Sequence, residues 1–139
     1  MRLYPPAHNL SRVSVKEDWM GGVRIPPGAL VTVSTYLTHR NPVLWPEPDR
    51  FDPERFLPEH IAGRHRFAYL PFGAGSRICI GMGFAMAEGQ IILASVAQAF
   101  SVRPVPGFTV EPVGLVTLRP KNGIRVTLEP RLPKEHNHE

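Results

Sequence analysis

Sixteen prolines in 139 residues, set between apolar runs rather than pooled in one tract, constrain this chain more than any other feature. That is roughly 12% of the chain, against about 5% in ordinary proteins. Each proline fixes φ, removes a main-chain donor and pushes the residue before it out of the helical region. Long regular elements are therefore excluded over most of the length, and with them a helical bundle, a coiled coil or a simple repeat. The chain must be many short elements joined by ordered turns. Apolar residues at 42% and charged residues at 20% are globular proportions, so wholesale disorder is also excluded. The length predicts one domain at most. No stretch of about 18 uninterrupted apolar residues exists to form a membrane segment. The start, Met1-Arg2-Leu3-Tyr4-Pro5-Pro6, lacks the apolar core of a secretory signal.

Net charge is +4, with an isoelectric point near 9.7. The basic residues are scattered singly, without a Lys/Arg run, so no nucleic-acid partner is expected and an acidic protein partner fits at least as well. The single cysteine, Cys79, excludes an internal disulfide and points to a reducing compartment, the cytoplasm.

Met1–Tyr4 reads as the last turn of a helix stopped by Pro5-Pro6. Val23–Ile25 and Ala29–Ser34, bracketed by Gly21-Gly22 and Pro26-Pro27-Gly28, read as a β-hairpin. Thr35–Arg40 reads as a short helix ended by Asn41-Pro42. From Pro42 to Pro58 the prolines exclude regular structure, yet Trp45, Phe51 and Phe56 require burial, so the segment is an irregular meander pinned to a core. Met82–Phe100 carries no proline and only four strongly polar side chains, Glu88, Gln90, Ser95 and Gln98. Three of them, Glu88, Ser95 and Gln98, fall on one helical stripe, which predicts a largely buried helix. Val116–Arg119 and Ile124–Glu129 flank Pro120-Lys121-Asn122-Gly123, and Asn-Gly predicts a hairpin. Alternation of Ile124, Val126 and Leu128 with polar residues predicts one buried face. Residues 131–139 read as a polar, frayed tail.

The informative stretch is Phe72-Gly73-Ala74-Gly75-Ser76-Arg77-Ile78-Cys79-Ile80-Gly81, running into that helix. Glycines at 73, 75 and 81 permit tight turns that expose main-chain N–H groups. The helix after Cys79 aims its positive N-terminal end at the sulfur, and both effects favour thiolate. Arg77 is a fixed cation able to hold a carboxylate, and Phe72 is an apolar wall. One thiolate without further Cys or His ligands cannot close a tetrahedral zinc site. It can serve as one axial ligand of a planar macrocycle, or as a nucleophile. The nucleophile reading, a cysteine hydrolase, is weak because the six histidines show no pattern. A dinucleotide loop fits poorly, since Ile78 or Met86 would stand where a third small residue is needed.

Phe72-x-x-Gly75-x-Arg77-x-Cys79-x-Gly81 resembles the haem-binding signature of the cytochrome P-450 family at every fixed position. Asp52-Pro53-Glu54-Arg55-Phe56 resembles the family's P-E-R-F element, and Met1–Pro6 resembles the end of its E-x-x-R helix. Gly22–Gly28 and His39-Arg40-Asn41-Pro42 follow the family's order, so the likeness runs from Arg2 to about Glu129. The resemblance implies an α+β fold, the C-terminal part of the cytochrome P-450 fold. Its parts would be the end of the K helix, small β-hairpins, the meander, the Cys-ligand loop, the buried L helix and a C-terminal β-hairpin. Residues 1–130 would be the haem-binding portion and 131–139 a tail. The resemblance also implies haem b (iron protoporphyrin IX) with Cys79 as proximal thiolate ligand. Phe72, Gly73, Gly75 and Gly81 would shape the loop, and Arg77 and Arg12 would pair with haem propionates. Arg2 and Arg55 would belong to a buried Glu–Arg–Arg network. The activity implied is monooxygenation of a small apolar substrate with O2, using electrons from a ferredoxin or an NAD(P)H-dependent reductase. Arg64-His65-Arg66 is a candidate docking loop for such an acidic partner. The family's Glu would fall two positions before Met1, and the distal helix with its acid–alcohol pair would lie further upstream. The expectation is thus a C-terminal part, truncated or begun at an internal Met. Such a chain carries no catalytic residues of its own, so haem binding or interaction without turnover is the alternative function.

Overall fold

In the computed structural model, residues 1–131 are described. They form short strands in four two-stranded sheets, three helices and two 3-10 turns, the α+β mixture expected. The chain divides into two compact units, residues 1–78 with 114–119, and residues 79–113 with the chain from Pro120 onward.

The first unit opens without a helix. Met1–Tyr4 is expected to be a helical turn but is irregular, with a bend at Leu3–Tyr4, where Pro5 pushes the residue before it out of the helical region. Strand β1 (Asn9–Val13) pairs antiparallel with β4 (Leu30–Ser34), Asn9 opposite Ser34 and Val13 opposite Leu30. Between them, β2 (Asp18–Met20) pairs with β3 (Val23–Ile25). The expected hairpin of Val23–Ile25 with Ala29–Ser34 is therefore incorrect, and the two segments lie in different sheets. Gly21-Gly22 is the true hairpin turn: both residues have positive φ, +58° and +81°, as a two-residue primed turn requires. Pro26-Pro27-Gly28 only redirects the chain, with Ala29 N–H closing on Pro26 O at 3.2 Å.

Helix α1 (Thr35–Thr38) starts on Ser34, whose hydroxyl accepts the Leu37 N–H, and turns out before Asn41-Pro42 as expected. The meander that follows is pinned where predicted by Trp45, 1% exposed, whose Nε1–H donates to Ala68 O at 3.1 Å. Phe56 packs against Trp45 and Tyr69 at ring-centre distances of 6.0 and 4.9 Å. Phe51 departs from expectation, at 81% exposed. The meander also holds more order than expected. A 3-10 turn, Pro53–Phe56, is capped by Asp52, and the short helix α2 (Pro58–Ile61) follows it.

The second unit carries helix α3 (Met82–Ala99) and the sheet of β5 (Phe100–Pro104) with β8 (Val126–Pro130). The helix forms where predicted, but its burial does not. None of its residues is buried, and Phe84, Ile91 and Leu93 stand 75%, 65% and 72% exposed. An apolar helix buries surface only against other elements, and the described residues leave most of it uncovered. Strands β6 (Pro112–Gly114) and β7 (Leu118–Pro120) pair with each other. The predicted hairpin across Asn122-Gly123 is thus corrected. The turn exists, with Gly123 N–H on Pro120 O, but it joins strands of two different sheets. The one-sided burial predicted for the last strand is absent too, since every residue of β8 is exposed. Of the predicted tail, Arg131 is anchored by its N–H to Ala99 O at 2.9 Å, and residues 132–139 lie outside the described residues.

Candidate functional site

The glycine loop starts from a turn in which Gly73 N–H donates to Leu70 O at 3.2 Å. Gly73 and Gly75 both have φ above +70°, a conformation that side chains resist, so the glycines are needed for backbone shape. A Cβ on Gly73 would stand 3.7 Å from Leu10 Cδ1, which places the loop's start beside β1. Gly75–Arg77 then forms a 3-10 turn closed by Ile78 N–H on Gly75 O. Cys79 follows, exposed and unpaired, and its carbonyl accepts the first N–H of α3, from Met82, at 3.3 Å. Gly81 caps that helix, and a Cβ there would come within 3.8 Å of the Cys79 sulfur.

The other candidate residues are less uniform. Phe72 is half-buried, whereas Arg77 is exposed and has no acidic partner among the described residues. Arg12 is exposed on β1 and donates to the carbonyl of Ser11 at 2.7 Å. Its side chain lines an apolar pocket of about 400 Å³ together with Leu10, Met20, Val33, Leu70 and Ala74, so Arg12 and the loop's first residues share one cavity.

The first unit also carries a cationic cluster. Arg2 is 5% exposed and spends its guanidinium on three main-chain carbonyls: His39 at 3.0 Å, Pro48 at 2.5 Å and Arg50 at 2.7 Å. Burial first, then repulsion from Arg55 and Arg40, lowers its pKa. Arg55 donates to Glu47 O at 3.1 Å, while its Nε, 3.7 Å from Asp52, lacks a hydrogen-bond partner. Both arginines thus stand in one buried region, held by carbonyls rather than by a glutamate. Arg64 was expected on a docking loop. It instead lies over the Trp45 ring at 4.2 Å and donates to Arg55 O, with its pKa lowered mainly by burial. Only Arg66 of that loop offers its charge outward, resting 4.3 Å over Phe67.

Two members of this support had no assigned role in the sequence reading. His39 is fully buried, with Nδ1 3.2 Å from Arg2 O, and its Nε2 accepts the Leu70 N–H at 2.8 Å. Tyr69 packs on His39 at 5.2 Å, and burial raises its phenol pKa. The signal for His39 is its place in the His39-Arg40-Asn41-Pro42 element, which follows the family's order but carries no role for the ring.

This donor set can be matched to a ligand class. Among the described residues no group of three or more His, Cys, Asp or Glu side chains could cage a metal. A single open thiol over a glycine, preceded by an unpaired arginine, suits an iron that brings its own equatorial ligands and carries carboxylates.

Comparison with known proteins agrees. The cytochrome P450 family model matches residues 1–127. Cyclooctatin synthase of Streptomyces melanosporofaciens is 43% identical over 131 residues, covering 94% of this chain and 28% of that protein. Cytochrome P450 4c3 of Drosophila melanogaster is 40% identical over 134 residues, covering 94% and 25%. Among solved structures, retinoic acid bound cyanobacterial CYP120A1 superposes with a TM-score of 0.89 at 36% identity, covering 94% of this chain and 30% of that chain. The chain therefore belongs to the cytochrome P450 family, whose cofactor is haem. It spans 28% and 25% of the lengths of the two curated relatives.

Proposed function

We propose that this chain is the haem-ligating, C-terminal portion of a haem-thiolate monooxygenase, with residues 1–130 as that portion and Cys79 as the residue whose thiolate would bind the haem iron. The observation that carries the reading is the open Cys79 sulfur, set against Gly81 and directly ahead of α3. Gly73 and Gly75 bend the loop so that the thiol is presented at its end, and Gly81 leaves no side chain beside the sulfur. Phe72 would restrict water, and Arg77 and Arg12 would hold the propionates of haem b through charge-assisted hydrogen bonds. Bound haem supplies the activation of O2 for insertion into a small apolar substrate. Electrons come from a ferredoxin or an NAD(P)H-dependent reductase in the cytoplasm, with exposed Arg66 available to an acidic face of that partner.

A haem titration of the purified chain tests the assignment. Cys79→Ala is expected to abolish the thiolate-type Soret band. Arg77→Ala is expected to keep the band and weaken binding by roughly tenfold or more, the worth of one charged hydrogen bond. Identical spectra for the parent and Cys79→Ala would overturn it. A second reading, haem binding without turnover, is supported by the exposed α3 and by the quarter-length coverage of the relatives.

A further inference from the structure

The chemistry just proposed makes no use of His39, although it is fully buried and each ring nitrogen has a partner in a different stretch of chain. Nδ1 faces the carbonyl of Arg2 at 3.2 Å, which only accepts, so Nδ1 carries the proton. Nε2 faces the N–H of Leu70 at 2.8 Å, which only donates, so Nε2 carries a lone pair. One neutral tautomer satisfies both. The main chain of His39 is fixed as well: its N–H donates to Thr35 O at 2.9 Å, and its carbonyl accepts from Arg2 Nη1 at 3.0 Å. Arg2 thus meets His39 twice, at the ring through its carbonyl and at the backbone through its guanidinium. On the other side Leu70, held at its N–H by the ring, is held at its C=O by Gly73 N–H. That second bond is the turn from which the glycine loop begins.

We propose that His39 is a positioning residue which, through its unprotonated Nε2, couples buried Arg2 to the first turn of the loop that carries Cys79. The inference rests on the proposed function only for what the loop holds, since the hydrogen bonds exist whatever binds there. Its acid sensitivity follows from the surroundings. The charged side chains facing the ring are Arg2 and Arg40, both cationic. Tyr69 is neutral, and Asp49 is paired with Arg40 at 3.2 Å. Burial first, and then these cations, outweigh the Arg2 carbonyl and bring the ring's pKa down to about 4. Protonation turns Nε2 into a donor facing a donor, and the Leu70 link opens.

Nuclear magnetic resonance of the 139-residue chain, labelled at histidine nitrogen and backbone amides, tests the coupling. At pH 6 His39 should be neutral with its proton on Nδ1. Leu70 should be protected from hydrogen exchange, and that protection, corrected for intrinsic rates, should fall in step with ring protonation. His39→Gln places an amide oxygen near the Nε2 position and should retain Leu70 protection while losing its pH dependence. His39→Asn reaches only the Nδ1 position and should exchange Leu70 about tenfold faster, the scale of one net hydrogen bond. A packing role alone predicts that Gln and Asn disturb Leu70 equally, and that result would overturn the proposal. An Nε2–H tautomer would also overturn it. Where neither variant folds, the parent titration decides: Leu70 protection indifferent to ring charge defeats the coupling. No readout requires haem, so a chain that fails to bind haem can still show the His39–Leu70 link.

Discussion

Trp45 shows how much of this molecule depends on single side chains. Its indole is buried, its Nε1–H is spent on Ala68 O, and Arg2 and Arg64 lie over the ring at 5.1 and 4.2 Å. Trp45→Phe keeps most of the ring but leaves a buried carbonyl without its donor. A loss of about 1–3 kcal/mol is expected in the urea midpoint analysis. His39 sets a pH dependence. Its ring titrates near 4 in the fold and 6.5 free, so its contribution is complete above pH 6.5. As pH falls from there through 4, the unfolded chain takes up a proton that the fold refuses, and stability drops by up to ~3 kcal/mol. His39→Gln should remove that slope from the stability profile. At this scale the sequence was legible where residue type dictates burial, as with Trp45. It was not legible where a role depends on which carbonyls converge, as they do on Arg2 and His39.

Among the elements, turns decide the pairing. Gly22 has φ +81° with open space around it, so any cost of a side chain there comes from backbone conformation rather than collision. Gly22→Ala should destabilise the β2–β3 hairpin by ~1–2 kcal/mol, measured as a lower thermal midpoint. Turn signals located the bends correctly at Gly21-Gly22, Pro26–Gly28 and Asn122-Gly123, but adjacency in sequence misled the pairing. β4 returns to β1 and β8 returns to β5, and such distant partners leave no mark on a local pattern. Helix α3 was legible as a helix because eighteen residues without proline propagate well. Its burial was not, because apolarity records what a helix needs rather than what covers it. Gly89 has open space on α3, so Gly89→Ala should raise helix content and stabilise by ~0.5–1 kcal/mol. Destabilisation would instead show that α3 is closely packed at that position.

For the whole molecule, the family was legible because several short elements, each weak alone, occur in one order from Arg2 to Glu129 around a Cys loop. In the first unit few residues are buried around Trp45, and much depends on hydrogen bonds to the main chain. Proline-rich segments expose carbonyls that strands and helices would otherwise satisfy, and arginines collect them. That framework holds Leu70 and Gly73, where the glycine loop begins. The central claim is that the loop presents Cys79 to haem iron as a thiolate. The most direct test is the carbon monoxide difference spectrum of the reduced, haem-loaded chain. A strongly red-shifted Soret band, absent in Cys79→Ala, is the predicted result. A band at the unshifted position of histidine-ligated or free haem, unchanged by the substitution, would contradict it.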